Sequence, residues 1–312
     1  MAAARLTNNM PSKVEVELVA DVHDSCGEGP SWDARQSVLR WVDITGKRFH
    51  CLDWPRKTPV RTIEPGFEIS AFALTNNEHL VVAGSDGVWL WDQQHERIPL
   101  VQEHEGERLA INDALADVNG RLLAGSTFFD PSNEHYTCGK LYSIAADGKV
   151  SVLDDGIKLA NGLGFSPDNR TLYFTDSADR VIYAYDYDPE AGQASNRRVY
   201  VTVPSTEGLP DGLTVDAEGF VWSAQWFGGC ICRYDPDGSL ERRIPIPAGQ
   251  TSSLVFGGPD LTDIFVTTAG TPDALSLAPP DYQASGEAVG GALFRLNVGI
   301  QGKEDFRCQV EV

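Results

Sequence analysis

Basic side chains are scarce in this 312-residue chain: 25 Lys and Arg face 45 Asp and Glu, a formal net charge of −20 at pH 7. Grip on nucleic acid or an anionic membrane surface needs clustered Lys and Arg. Here nothing exceeds short pairs such as Arg197–Arg198 and Arg242–Arg243, so neither partner is expected. No stretch approaches the ~18 consecutive apolar residues of a membrane-spanning helix. The first residues, MAAARLTNNMPSK, lack the apolar segment of a secretory signal and are expected to form a loose leader over 1–13. There is no GxSxG elbow, and the six histidines (His23, His50, His79, His95, His104 and His135) show no metal spacing such as HExxH. The GSDG run at 84–87 has no helix after it and is a turn, not a phosphate cradle. Cysteine is sparse too. Cys26, Cys51, Cys138, Cys230, Cys232 and Cys308 are scattered and are expected to be reduced thiols of a cytoplasmic protein. Cys230 and Cys232 are expected to face opposite sides of one strand without bridging, and the pair lacks the second pair a zinc site needs.

What the chain has is a repeat. Six short segments share one pattern, a small or polar leading residue followed by alternating apolar positions: Glu28-GPSWD, Ser70-AFALT, Asn112-DALAD, Asn161-GLGFS, Asp211-GLTVD and Ser252-SLVFG. The leading residues are 42, 42, 49, 50 and 41 positions apart. Self-similarity at about 40 to 50 residues marks a radial or solenoid array, and within each unit the signals are all β. After the leading segment comes a turn rich in Asp, Asn, Pro and Gly. Then follow a second strand (LRWVDI, LVVAGS, LLAGST, LYFTDS, VWSAQW, IFVTTA), a third with aromatic alternation (VIYAYDYD, for example) and a more polar fourth.

These signals predict an all-β fold: a six-bladed β-propeller of four antiparallel strands per blade, as one domain over residues 1–312. The sixth repeat shows three clear strands, and its missing outer strand is expected from the N-terminal run at 14–22, closing the ring and covering sheet edges. The C-terminal segment EDFRCQVEV is the other candidate donor. Two insertions follow second strands. Residues 128–138, with Phe128, Phe129, His135 and Tyr136, have the side chains to cover a pocket, and 270–290 is expected to be a flexible insertion. Most tryptophans are expected in blade cores, with Trp226 placed to line the mouth of a central site.

Residues at one place in successive propeller repeats converge on the axis. Four of the six leading residues are Glu28, Asn112, Asn161 and Asp211. Carboxylate and amide oxygens suit a hard divalent cation with open positions for water or substrate. Glu28, Asn161 and Asp211, each followed by glycine (Gly29, Gly162 and Gly212), are the expected metal ligands. An oxygen-only set does not choose among Ca²⁺, Zn²⁺, Mg²⁺ and Mn²⁺.

The segments CGEGPSWD, NDALADVNGRLLAGS, ANGLGFSPDNRTLYFTDS and PDGLTVDAEGFVWSAQW, with the following GGC and RYDPDG, resemble the gluconolactonase/regucalcin/luciferin-regenerating-enzyme family over nearly the whole chain. The resemblance implies a six-bladed propeller, one divalent metal ion and, in many members, hydrolysis of sugar lactones. It assigns the metal to Glu28, Asn161 and Asp211 and gives Asn112 a substrate contact beside it. Many members carry Arg two residues before that Asn; this chain has Ala110 there, with Arg108 two residues further back. The expected reaction is opening of a small sugar lactone to the free acid, the metal polarising the carbonyl and Asp211 activating water. Asp113 and Glu134 are alternative bases, and Arg108, Asp113, Glu134 and His135 join Asn112 as expected substrate contacts. The rival expectations are a Ca²⁺-binding regulatory propeller without turnover and a metal-dependent esterase or phosphotriesterase.

Overall fold

A computed structural model describes residues 14–310 apart from 55, 57–58, 95, 129–136, 272 and 284–289. Six four-stranded antiparallel sheets form the blades of a propeller. In chain order their innermost strands are Gly27–Asp33, Ala71–Leu74, Ile111–Ala116, Ala160–Phe165, Leu209–Val215 and Thr251–Gly257. Each blade then steps outward strand by strand. The sixth blade consists of Thr251–Gly257, Asp263–Thr268 and Ala292–Asn297, and its outer strand is Val16–Asp21 from the other end of the chain, antiparallel to Ala292–Asn297.

The strands follow from their side chains. In Val181–Asp188, the third strand of blade four, Tyr185 and Tyr187 are buried on one face while Asp186 and Asp188 are exposed on the other, the alternation a half-buried strand requires. The turn after the inner strand is built by an aspartate in three blades. Asp117 Oδ1 accepts from the backbone N–H of Asn119 (2.9 Å) and Arg121 (2.8 Å), and Asp216 Oδ1 from Glu218 and Phe220 (both 3.0 Å). Asp33 does the same for Arg35 at 3.1 Å. Each carboxylate is paired with an arginine of its own blade: Arg40–Asp33, Arg121–Asp117 and Arg233–Asp216. The hydrophobic core is divided rather than single. Six clusters each sit between two successive blades, such as Phe49, Phe72 and Trp91 between the first and second. Side chains from one sheet therefore stabilise the next, and the ring is held together all the way round.

The C-terminal segment does not join a blade. Residues 301–309 run across the base of the disc and touch all six blades: Gln301 O accepts from Ala217 N, Gly302 N donates to Leu261 O, and Lys303 Nζ donates to Phe165 O at 2.6 Å. Arg307 reaches Thr75 O and the Asp33 carboxylate, and Gln309 N donates to Gly120 O. This strap closes the lower end of an axial channel walled by small residues including Gly29, Ser31, Ala71, Ala73, Ala114 and Gly164.

One expectation about cysteine fails. Cys230 and Cys232 are two residues apart on Cys230–Tyr234, a full strand period, so they share a face. All six cysteines are free.

Candidate functional site

At the upper end of the axis, the inner strands deliver their leading residues into a cavity of about 120 Å³ lined by Glu28, Ser70, Asn112, Asp113, Asn161, Ser177, Asp211 and Trp226, with Cys26, Ile44, Leu159, Leu209, Asp273 and Ala274. A recurring irregularity of the backbone lies beside them. Five of the six inner strands shift register within a few residues of the leading residue: between Glu28 and Ser31, Ile111 and Asp113, Asn161 and Leu163, Pro210 and Leu213, and Thr251 and Ser253. A β-bulge bends its strand and re-aims a side chain, and it accompanies the entry of Glu28, Asn112, Asn161 and Asp211 into the cavity, whereas Ser70 enters without one and Ser252, also at a bulge, is buried outside the lining. The flanking glycines have separate causes. A Cβ on Gly162 would lie 2.5 Å from Leu213 N, and one on Gly212 2.2 Å from Ser253 Oγ, so neighbouring inner strands meet too closely for any side chain. Gly29 has open space but a φ of +50°, a left-handed backbone that glycine adopts without steric cost.

Hydrogen bonds fix the two amides. Asn112 Nδ2 donates to Ala160 O (2.7 Å) and to Asn161 Oδ1 (2.9 Å). Asn161 Nδ2 donates to Ser177 Oγ (2.8 Å), whose own proton goes to Pro210 O (2.6 Å). Ser177, only 1% exposed, thus determines which end of the Asn161 amide turns inward and ties it to the strand that carries Asp211. The loop leading to Glu28 is held from below: Asp43 accepts from the backbone N–H of Ser25 (3.2 Å) and Cys26 (2.9 Å).

The carboxyls are not matched by positive charge. No Lys, Arg or His lines the cavity among the described residues. Desolvation, and then repulsion from Asp113, pushes the Glu28 carboxyl up to about 8 against the pull of the Gly29 N–H. Asp113 is raised to about 7 by desolvation, opposed by the Ala114 N–H. Asp211, 5% exposed, lies well above its ordinary value through burial and then through Glu28 and Asp113. Buried like charges persist only when protonated or when a cation joins them. The donors are oxygens, from two carboxylates and an amide, and so fit a hard divalent ion. Glu28, Asn161 and Asp211 are the side chains that could hold one. Among the described residues no three His, Cys, Asp or Glu side chains gather at metal-holding distance, so an ion here would need the Asn161 amide beside the two carboxylates.

Of the residues singled out in the sequence, Glu28, Asn112, Asp113, Asn161 and Asp211 share the cavity, with Trp226 at its wall. Arg108 does not: it is exposed on a short hairpin, Glu103–His104 with Glu107–Arg108, outside the lining. Glu134 and His135 lie outside the described residues, as does most of the 128–138 insertion. The other insertion, expected to be a flexible segment, contributes to the site. Its first part lines the cavity through Asp273 and Ala274 and is packed in place: Arg180 Nη2 donates to Leu277 O at 2.6 Å, the Tyr282 and Phe227 rings lie 4.6 Å apart, and Gln250 Nε2 donates to Tyr282 Oη.

Residues 26–270 match the family model described as the SMP-30/Gluconolactonase/LRE-like region. The chain belongs to this family. A pentonolactonase, XacC, from Haloferax volcanii is 36% identical over 95% of this chain and 99% of its own length. Among solved structures, a luciferin-regenerating enzyme superposes with a TM-score of 0.85 at 28% identity, covering 95% of this chain and all of the other. A structure described as a calcium-binding protein, regucalcin, from Agrobacterium tumefaciens gives 0.80 at 26% identity over 96% and 98%. Family membership and the propeller therefore agree with the sequence motifs. Among the described residues no helix is long and apolar enough to cross a membrane.

Proposed function

We propose that the protein is a divalent-metal-dependent lactonase that opens a sugar-derived aldonolactone to the free sugar acid. The observation that carries this function is the gathering of two carboxylates, Glu28 and Asp211, and two amides, Asn112 and Asn161, from four different blades in one cavity without a basic side chain among the described residues. The pentonolactonase relative supports the same substrate class. A cation held by Glu28, Asn161 and Asp211 would supply Lewis-acid polarisation of the lactone carbonyl. Asn112 keeps its amide beside the same point and orients substrate oxygen. Asp211, or Asp113 two blades away, takes a proton from the attacking water. The water oxygen bonds to the carbonyl carbon, the ring C–O bond breaks, and the departing oxygen takes up a proton to leave a hydroxy acid. Six free cysteines accord with a cytoplasmic location.

The test is acid release from a panel of 1,4- and 1,5-lactones, followed with a pH indicator before and after chelation. Release that stops on chelation and returns with added Ca²⁺, Zn²⁺, Mg²⁺ or Mn²⁺ is expected. Inert lactones at high enzyme loading would sink the proposal, and turnover of aryl esters or phosphotriesters alone would replace it. Ser177→Ala is expected to weaken divalent-ion affinity by roughly 10- to 100-fold, the usual worth of a residue that orients a ligand. Titration calorimetry reads this directly, and an unchanged affinity would mean that the strand backbone alone sets the Asn161 amide.

A further inference from the structure

Four carboxylates border the cavity: Glu28, Asp113, Asp211 and Asp273. A dication on Glu28 and Asp211 would neutralise those two, leaving Asp113 and Asp273. Asp273 differs from the rest in being exposed and in coming from an insertion rather than an inner strand. It is nonetheless fixed. Its carbonyl accepts from Trp226 Nε1 (3.4 Å), and its Oδ1 accepts from Ala274 N (2.6 Å), with Ala274 held at a left-handed φ of 51°. The Arg180 and Tyr282 contacts described above secure the residues that follow. Oδ2 has no hydrogen-bond partner among the described residues, and no guanidinium stands at Ala110 to receive a negatively charged substrate arm.

We propose that Asp273 is a specificity-determining residue that restricts the cavity to uncharged polyhydroxy lactones, accepting hydrogen bonds from substrate hydroxyls and rejecting lactones that carry a phosphate, sulfonate or carboxylate; this rests on the lactonase function proposed above. Carboxylates accept hydroxyl protons well, whereas a further negative charge brought toward Asp113 and Asp273, in a lining without a basic side chain among the described residues, is opposed. Specificity by repulsion needs no contact with the wrong substrate beyond that field. The same field favours departure of the product, which becomes an anion once its carboxylic acid loses its proton.

The experiment compares an unsubstituted hexono-1,5-lactone with its 6-phosphate on the metal-loaded protein, together with the corresponding uncleavable lactams as binding probes. Wild type is expected to show kcat/KM at least roughly 100-fold lower for the phosphate, the deficit falling mainly in KM. Asp273→Lys should narrow that gap by about tenfold or more, with Asp273→Asn between the two. Equal handling of both lactones by wild type, or a gap that Asp273→Lys leaves untouched, would overturn the assignment. The lactams separate it from the activity. Preferential binding of the neutral lactam by a protein that turns over no lactone would discard the lactonase and keep the charge selection. Equal binding of both lactams by an active lactonase would do the reverse.

Discussion

Asp211→Asn is expected to lower kcat/KM for lactone opening by about 10³-fold or more, the combined scale of losing a general base and a charged metal ligand. The substitution keeps the size of the side chain and its backbone contact with Gly212, so folding is not the cause of the loss. In the metal-free protein it should even be tolerated well, because it removes one of three carboxyls that burial and mutual repulsion drive toward protonation. The loss alone does not say which of the two roles Asp211 fills. Calorimetric titration of the variant with the activating cation does: affinity within about threefold of wild type assigns the proton transfer to Asp211, and affinity weaker by ~100-fold assigns it to binding. Asp113→Asn is the counterpart. If Asp113 receives the proton, that variant binds the cation as wild type does and fails in turnover. An Asp211→Asn protein with undiminished kcat/KM would remove Asp211 from the chemistry altogether.

The hub of this site was legible in the sequence because a propeller brings one repeat position to one axis. Glu28, Asn112, Asn161 and Asp211 occupy that position at steps of 42 to 50 and multiples of them, and a closed ring gathers them where a solenoid would spread them in a row. The glycines after Glu28, Asn161 and Asp211 were visible for the same reason, although they serve two different needs. What stayed hidden lies off the repeat. Ser177 follows the second strand of blade four, where Ser and Thr are commonplace, and its importance comes only from meeting Asn161 across the sheet and Pro210 across the blade interface. Asp273 belongs to an insertion whose Pro, Ala and Ser content suggests a loose loop; its contacts are with Arg180 of blade four, Phe227 of blade five and Gln250 at the entry to blade six. Arg108 fails as a stand-in for the guanidinium missing at Ala110 because residues 103–108 form a hairpin of their own before the inner strand begins. Extending strand alternation back from Asn112 therefore counts along a strand that is not there. The strap at 301–309 shows the same limit: its alternation permits a strand, and only the six inner turns reveal that its partners lie across the base of the disc.

The metal-free protein is expected to lose stability as pH rises from about 5 to 8, and added divalent cation to restore it most at the upper end. The sign follows from the carboxyls. Glu28 and Asp113 have folded values of about 8 and about 7, above their ordinary values of 4.5 and 3.8, so the folded chain binds more protons than the unfolded chain between those limits. Stability is full below the ordinary values and falls as pH climbs through the raised ones. A tenfold difference in proton affinity corresponds to about 1.4 kcal/mol, and each kcal/mol moves the Tm of a domain of this order by about 2–4 °C. A Tm fall of roughly 5 °C or more across the window is therefore expected from these carboxyls. The cation competes with those protons for the same oxygens, so its stabilising shift grows with pH where an ordinary salt effect would not. Differential scanning calorimetry at pH 5, 6.5 and 8, with chelator and with each candidate ion, measures both trends. Glu28→Gln should flatten the metal-free slope and abolish most of the metal-dependent rise. A Tm that is insensitive to cation at pH 8 would show that Glu28, Asn161 and Asp211 share the cavity without holding an ion.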